Sequence, residues 1–432
     1  MSELWAMLHD QEMPETTEHG RSPRPRRRSE HVIVSELRGW LLHDYVAAYC
    51  RSLAETRIFR RCFLIDALGI NPKAAAPTLL EANEEETTPA RKKRTQHIPT
   101  HPVLQDVLTL SHELAARDRP IALHSLVLTA GSSKRSRSNN RRAIADEQHK
   151  KPYTLPRESG LITASWLEAA QDVLDYVEQS PAIFLLNPLG ATPFRYDDLA
   201  PLYRRTVPTE LCLLLSHKQI VLLLQAARTS SERAAHLTAL LRGDRWKTLP
   251  TEEEQSSQTV AGWIALFTAS MQHHFLLPVQ CVPLIAQVGP AIVEPVPYTL
   301  VFATRRQDSL VSMNDAVCTY TRRVIEASWQ GVLGEEWFAS QHQTRQQEAL
   351  QRLEQQIVQQ GRQQRIRRWP DLRQQLMLTF FGQFMRQDYD ASIQKLLLQR
   401  EVRCEWRQRK ATLNGNGEQQ PIPGNDDILI WR

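Results

Sequence analysis

The 432-residue sequence predicts an α/β protein: a Rossmann-like parallel sheet with helical insertions, followed by a small C-terminal domain. Three observations predict it. Short runs that are apolar almost throughout, FLIDALG (63–69), IALHSLVLT (121–129), AIFLLN (182–187) and ELCLLL (210–215), read as strands covered by helices on both faces. Segments with apolar residues at helical spacing lie between them. The first and third runs halt at Asp-x-x-Gly and Asn-Pro, where a buried strand gives way to a loop.

The central unit is 181–224. Its strand ends at Asn187-Pro188-Leu189-Gly190, a helix over 196–205 carries Leu199, Leu202 and Tyr203 on one face, and 210–215 is the next strand. In open α/β sheets ligands bind at the carboxyl ends of the strands, because the loops there are held rigidly and helix N-termini point into the crevice. The 187–190 loop is therefore the first place to look for a ligand.

The other elements follow in order. A helix from His31 places Leu37, Trp40, Leu41, Tyr45 and Ala48 at helical spacing, and leads into a strand over 59–69. Asp66 and Gly69 end that strand as nucleotide-binding folds often do, although many buried strands end the same way. Residues 71–98, acidic and then basic (Arg91-Lys-Lys-Arg94), predict a mobile insertion. A helix over 101–114 is expected to present Leu104, Val107, Leu108 and Leu114 together, and 121–129 is the second strand. Residues 131–157, rich in Ser, Arg and Asn, read as a second insertion, either a solvated loop or a contact for RNA or DNA. A helix over 166–179 leads into the central strand. A strand from Tyr298 and a helix over 312–329 close the body, which spans 31–335.

Composition excludes several classes. The chain has 41% hydrophobic residues, enough for real cores, and no run approaches the roughly 18–20 apolar residues of a membrane span. Its N-terminus lacks the charged-then-apolar order of a secretion signal, so a cytoplasmic protein without a membrane partner is expected. The six cysteines stand far apart with no CxxC pair, which suggests neither a zinc knuckle nor a disulfide framework. No HExxH, GxSxG or P-loop pattern is present, and His273-His274 reads as a helix-end pair rather than a metal site. No metal cofactor is implied.

The net charge of +5 lies wholly in the tail: 341–432 holds 15 Lys+Arg against 10 Asp+Glu, leaving 38 of each sign elsewhere. Residues 1–30, with Arg21-Ser-Pro-Arg-Pro-Arg-Arg-Arg28, read as a disordered basic arm, solubilising or nucleic-acid-binding. A Gln-rich connecting helix over 336–368 has Leu350, Leu353 and Ile357 on one stripe. Helices over 370–384 and 390–399 then precede two alternating strands that flank Asn414-Gly-Asn-Gly. This 369–432 pattern looks like a winged helix, which can place a helix in a DNA groove and wing arginines on phosphates. Lys395, Arg400, Arg403, Arg407, Arg409 and Lys410 are the expected nucleic-acid contacts. The alternative use of such a domain is protein contact.

Taken together, FLIDALG, HPVLQDVLTL, AIFLLNPLG, the LLRGDRW segment and YTLVFATRRQDSLVSMNDAV resemble, in that order, the three-Cys-motif partner family of bacteria. The resemblance covers about 43–324 and implies a methyltransferase-type Rossmann fold with S-adenosylmethionine as cofactor. It implies Asp66, Gly69 and Gly190 as cofactor contacts and Asn187 and Pro188 as catalytic residues; Asn-Pro at this place is similar to the amino-methyltransferase pattern, in which the Asn side chain and the Pro carbonyl accept from an exocyclic amine. It also implies a separate three-Cys-motif protein as partner. The chain departs from the family pattern at Ile70 and Pro72, where glycines are expected, at Thr129-Ala130, where an acid would hold a ribose, and at Asn187 and Leu189, where the family's Asp-Pro-Phe-Gly has Asp and Phe. Proline has no N–H to donate and cannot replace a pliant glycine. Two functions stay open: a divergent methyltransferase-like protein acting with a partner or nucleic acid, or a non-catalytic DNA-binding adaptor.

Overall fold

The computed structural model describes residues 30–69, 102–129, 153–156, 158–190, 192–250, 256–407 and 421–431. The basic arm and most of the two insertions lie outside the described residues. The N-terminal helix runs as α1 (Glu30–Trp40), a π-helical stretch (Leu41–Val46) and α2 (Ala47–Glu55). Then come β1 (Arg61–Ala67), α3 (Pro102–Ala115), β2 (Ala122–Leu128), β3 (Gly160–Ile162), α4 (Trp166–Tyr176), β4 (Ala182–Leu186), α5 (Tyr196–Arg204) and β5 (Thr209–Ser216). Helices α6 (His217–Thr229), α7 (Ser231–Leu241) and α8 (Ser256–Gln272) lead to β6 (Gln280–Gly289) and β7 (Ile292–Ala303).

These strands form one seven-stranded sheet in the order β3-β2-β1-β4-β5-β7-β6. Strands β3, β2, β1, β4 and β5 pair in parallel, and β7 enters antiparallel between β5 and β6. The fold is Rossmann-like α/β, as expected. Every residue of β4 and β5 is buried, which explains their unbroken apolar text. Ile183 and Leu185 face a layer built from α1, α2, α3 and α9 (Gln307–Trp329), whereas Ala182, Phe184 and Leu186 face α4 to α8. On α3 the buried stripe is Val103, Val107, Leu110 and Leu114, while Leu108 is exposed, because it lies one residue, about 100° of helix, beyond Val107. Strand β3 was not anticipated: three residues carry no periodicity, and only pairing with β2 from Leu126 to Leu128 defines it.

The C-terminal segment contains α10 (Glu335–Gln364), α11 (Trp369–Thr379), α12 (Arg386–Leu398) and an antiparallel ribbon of β8 (Val402–Glu405) and β9 (Ile428–Trp431). Leu353 and Ile357 of the Gln-rich helix share one core with Trp369, Leu372, Leu376, Ile393, Leu396, Val402 and Leu429. The helix expected over 370–384 stops at Thr379. Gly382, in the left-handed region at φ +76°, turns the chain, and its amide donates to Asn314 Oδ1 at 2.8 Å. Asn314 is fully buried on α9 and also donates to the Phe384 carbonyl at 2.8 Å, which fixes this three-helix unit to the sheet domain.

Candidate functional site

The strand order reverses between β1 and β4, and this switch point brings the two sequence-predicted loops together. Ala67 pairs with Leu186, so Leu68-Gly69 and Asn187-Pro188 leave the sheet side by side. An open α/β sheet offers its ligand crevice here.

The groups in that crevice already hold partners. Asp66 is fully buried, and Arg38 of α1 donates to it from Nε (2.6 Å to Oδ2) and Nη2 (3.0 Å to Oδ1). The Leu68 amide donates to the same Oδ1 at 3.2 Å. Both carboxylate oxygens are thus engaged from within the protein. The cavity between Arg38, Asp66, Asp106, Val103 and Leu185 measures about 10 Å³, room for no more than a water. Asn187 Oδ1 accepts from the Leu189 amide at 3.2 Å, closing an Asx turn, and the Pro188 carbonyl accepts from the Phe194 amide at 2.9 Å. These are the two acceptors that the sequence reading assigns to an exocyclic amine. Gly69 does keep a left-handed backbone, at φ +73°, and among the described residues nothing lies within 4 Å of where a Cβ would stand. Gly190 has no positive φ, and a Cβ there would make ordinary contact with the Asn187 carbonyl. Thr129, at the end of β2, is buried and donates its amide to Ile162.

A second polar cluster lies at the opposite edge of the sheet. Glu210 is the second residue of β5, is fully buried, and accepts at Oε2 from Ser309 Oγ (2.7 Å) and Tyr45 Oη (3.2 Å). Burial raises its carboxyl to about 7, against the pull of these hydroxyls and of Arg306. Its Oε1 and the nearby Tyr49 hydroxyl make no hydrogen bond among the described residues. Through these bonds Glu210 joins the N-terminal helix, β5 and α9. A lone acid in the otherwise apolar TELCLLLS was its signal in the sequence.

His274, of the histidine pair, stacks on Tyr203 with ring centroids 4.5 Å apart and bonds the Tyr196 hydroxyl through Nε2 at 2.8 Å. It closes a side-chain cluster just beyond α8.

In the C-terminal unit, Lys395 is held by Glu354 of α10, with Nζ 2.8 and 2.9 Å from its two oxygens. Arg400, in the left-handed region at φ 59°, follows the end of α12 and is exposed. Arg403 is exposed on β8, opposite exposed Ile430, and Arg407 is exposed just beyond β8. Arg409 and Lys410 lie outside the described residues. Sequence reasoning passed over Arg365, Arg367 and Arg368, which join α10 to α11 and are all exposed. Their signal was the QRIRRW text, with one apolar residue among three arginines.

Comparison with protein-family models, curated proteins and solved structures gave no match for this chain. Fold and site therefore define a class and no more: a Rossmann-like α/β protein with an internally occupied switch point. Among the described residues no helix is long and apolar enough to cross a membrane.

Proposed function

We propose that the chain is a three-Cys-motif-partner-like protein whose methyltransferase-type body serves as a non-catalytic scaffold, and whose C-terminal unit is a winged helix that holds DNA. One observation carries the first half: the Arg38–Asp66 pair, at 2.6 and 3.0 Å, occupies the carboxylate that a cofactor would address. The engaged oxygens of Asn187 and Pro188 support it. The antiparallel β7 between β5 and β6 fits the methyltransferase-type sheet that the resemblance implies. Three helices followed by an antiparallel ribbon support the winged-helix reading. In this reading the body offers a surface to a three-Cys-motif protein, and the tail brings the assembly to nucleic acid.

The divergent-methyltransferase reading keeps one favourable observation, the left-handed Gly69 at the switch point. Parallel titrations of the full chain with S-adenosylmethionine and with duplex DNA separate the two. A scaffold binds DNA and ignores the cofactor, whereas an enzyme binds the cofactor and transfers its methyl group.

A further inference from the structure

The segment joining α10 to α11 is not a free linker. The Leu429 amide of β9 donates to the Arg367 carbonyl at 2.7 Å, and Trp431 Nε1 donates to the Ile366 carbonyl at 2.7 Å. Trp431 lies directly over Gly361, where a Cβ would come within 2.3 Å of its ring. The segment thus runs along the free edge of β9, and β8 occupies the other edge. Ile366 packs toward the core while Arg365, Arg367 and Arg368 are exposed.

Charge follows this arrangement. Among the described residues, seven arginines (362, 365, 367, 368, 400, 403 and 407) are exposed here against four exposed acids, Asp371, Glu401, Glu405 and Asp426. Glu401 is partly neutralised by Arg362 at 3.8 Å. The exposed face of α12 is different in kind: Lys395 is paired with Glu354, Arg386 lies 3.7 Å from Asp390, which Arg373 also holds at 2.5 Å, half-buried Asp388 balances the second arginine, and Ala391 and Leu398 are open to solvent. That face carries no surplus of positive charge. Guanidinium groups on a backbone-fixed support suit phosphate oxygens, which they can contact bidentately.

From this, and resting on the reading of the tail as a DNA-holding unit, we propose that the 365–368 segment, β9 and β8 form a phosphate-binding face that takes duplex DNA by its backbone, and that α12 does not enter the groove. Binding is then governed by salt and is indifferent to sequence.

The test is fluorescence anisotropy of the full chain with labelled duplexes of two unrelated sequences, across a salt series. Arg365→Ser, Arg367→Ser and Arg368→Ser are combined in one variant; Ala391→Glu on α12 is the second. The expected result is equal affinity for both duplexes, a loss of about tenfold or more in the triple variant with its log–log salt slope smaller by about 2–3, and little change in Ala391→Glu. The serine side chains leave the carbonyl of residue 367 in place, so circular dichroism is expected to match the wild type. Wild-type affinity in the triple variant, or loss of binding in Ala391→Glu, overturns the assignment of the face while leaving DNA binding intact. A strong preference for one of the two sequences overturns the duplex-backbone mode. Failure of the wild type to bind either duplex at low salt overturns the proposed function itself, and this face with it.

Discussion

Arg38 and Asp66 meet in a two-pronged ion pair, Nε to Oδ2 at 2.6 Å and Nη2 to Oδ1 at 3.0 Å, with 8% and 0% of the two side chains exposed. A cofactor seated at the end of β1 would have to displace a guanidinium that is already desolvated. Removing one member of such a pair leaves the other buried and unmatched, which costs about 3–5 kcal/mol. Asp66→Ala is therefore expected to lower unfolding stability by roughly that amount, and the Arg38→Met, Asp66→Leu double variant by clearly less. Denaturant titration measures both; a loss below about 1 kcal/mol in Asp66→Ala would mean that the carboxylate is not held as described.

Glu210 makes stability depend on pH. Its carboxyl lies at about 7 when folded, against 4.5 ordinarily, so the folded protein keeps a proton that the unfolded chain releases. The contribution is full below the lower value and is lost as pH rises through the upper one. The shift corresponds to about 3 kcal/mol at most. The stability difference between wild type and Glu210→Gln should therefore move against the wild type from acidic to neutral pH, as read from denaturant midpoints. A difference that stays flat would place an ionised Glu210 in the fold.

Asn314 holds the C-terminal unit by two hydrogen bonds of 2.8 Å, to the Gly382 amide and the Phe384 carbonyl. Asn314→Ala leaves both backbone groups without their partner and is expected to cost about 2–3 kcal/mol. Hydrogen exchange should show the amide of Gly382 losing protection. Unchanged exchange there would indicate that the turn needs no anchor.

Gly361→Ala drives a methyl group into the Trp431 ring, where the approach would be 2.3 Å. Overpacking of this kind costs about 1–3 kcal/mol, and here it also pushes β9 away from the 365–368 segment. Thermal unfolding followed by tryptophan fluorescence should show the loss. A neutral outcome would mean that Trp431 is free to swing aside.

The sheet was legible because β1, β4, β5 and the second half of β2 are buried on both faces, and burial on both faces leaves runs that are apolar almost throughout. The loops of the switch point were legible for the same reason, since they begin where those runs stop. Their chemistry was not legible. Nothing in FLIDALG announces that Arg38, 28 residues earlier and on a helix, will occupy Asp66. The α11 boundary was misread because Phe380 and Phe384 continue a helical stripe, and only the glycine between them, at φ +76°, ends it. Likewise Lys395 reads as a surface cation on α12 until α10 brings Glu354 against it.

Isothermal titration of the full chain with S-adenosylmethionine, beside S-adenosylhomocysteine and the Arg38→Met variant, tests the scaffold claim most directly. With Asp66 held by Arg38, neither ligand should give heat in the wild type up to millimolar concentration. Saturable binding of either ligand to the wild type, abolished by Asp66→Ala in a protein that remains folded, would contradict the claim and make the switch point a working cofactor site.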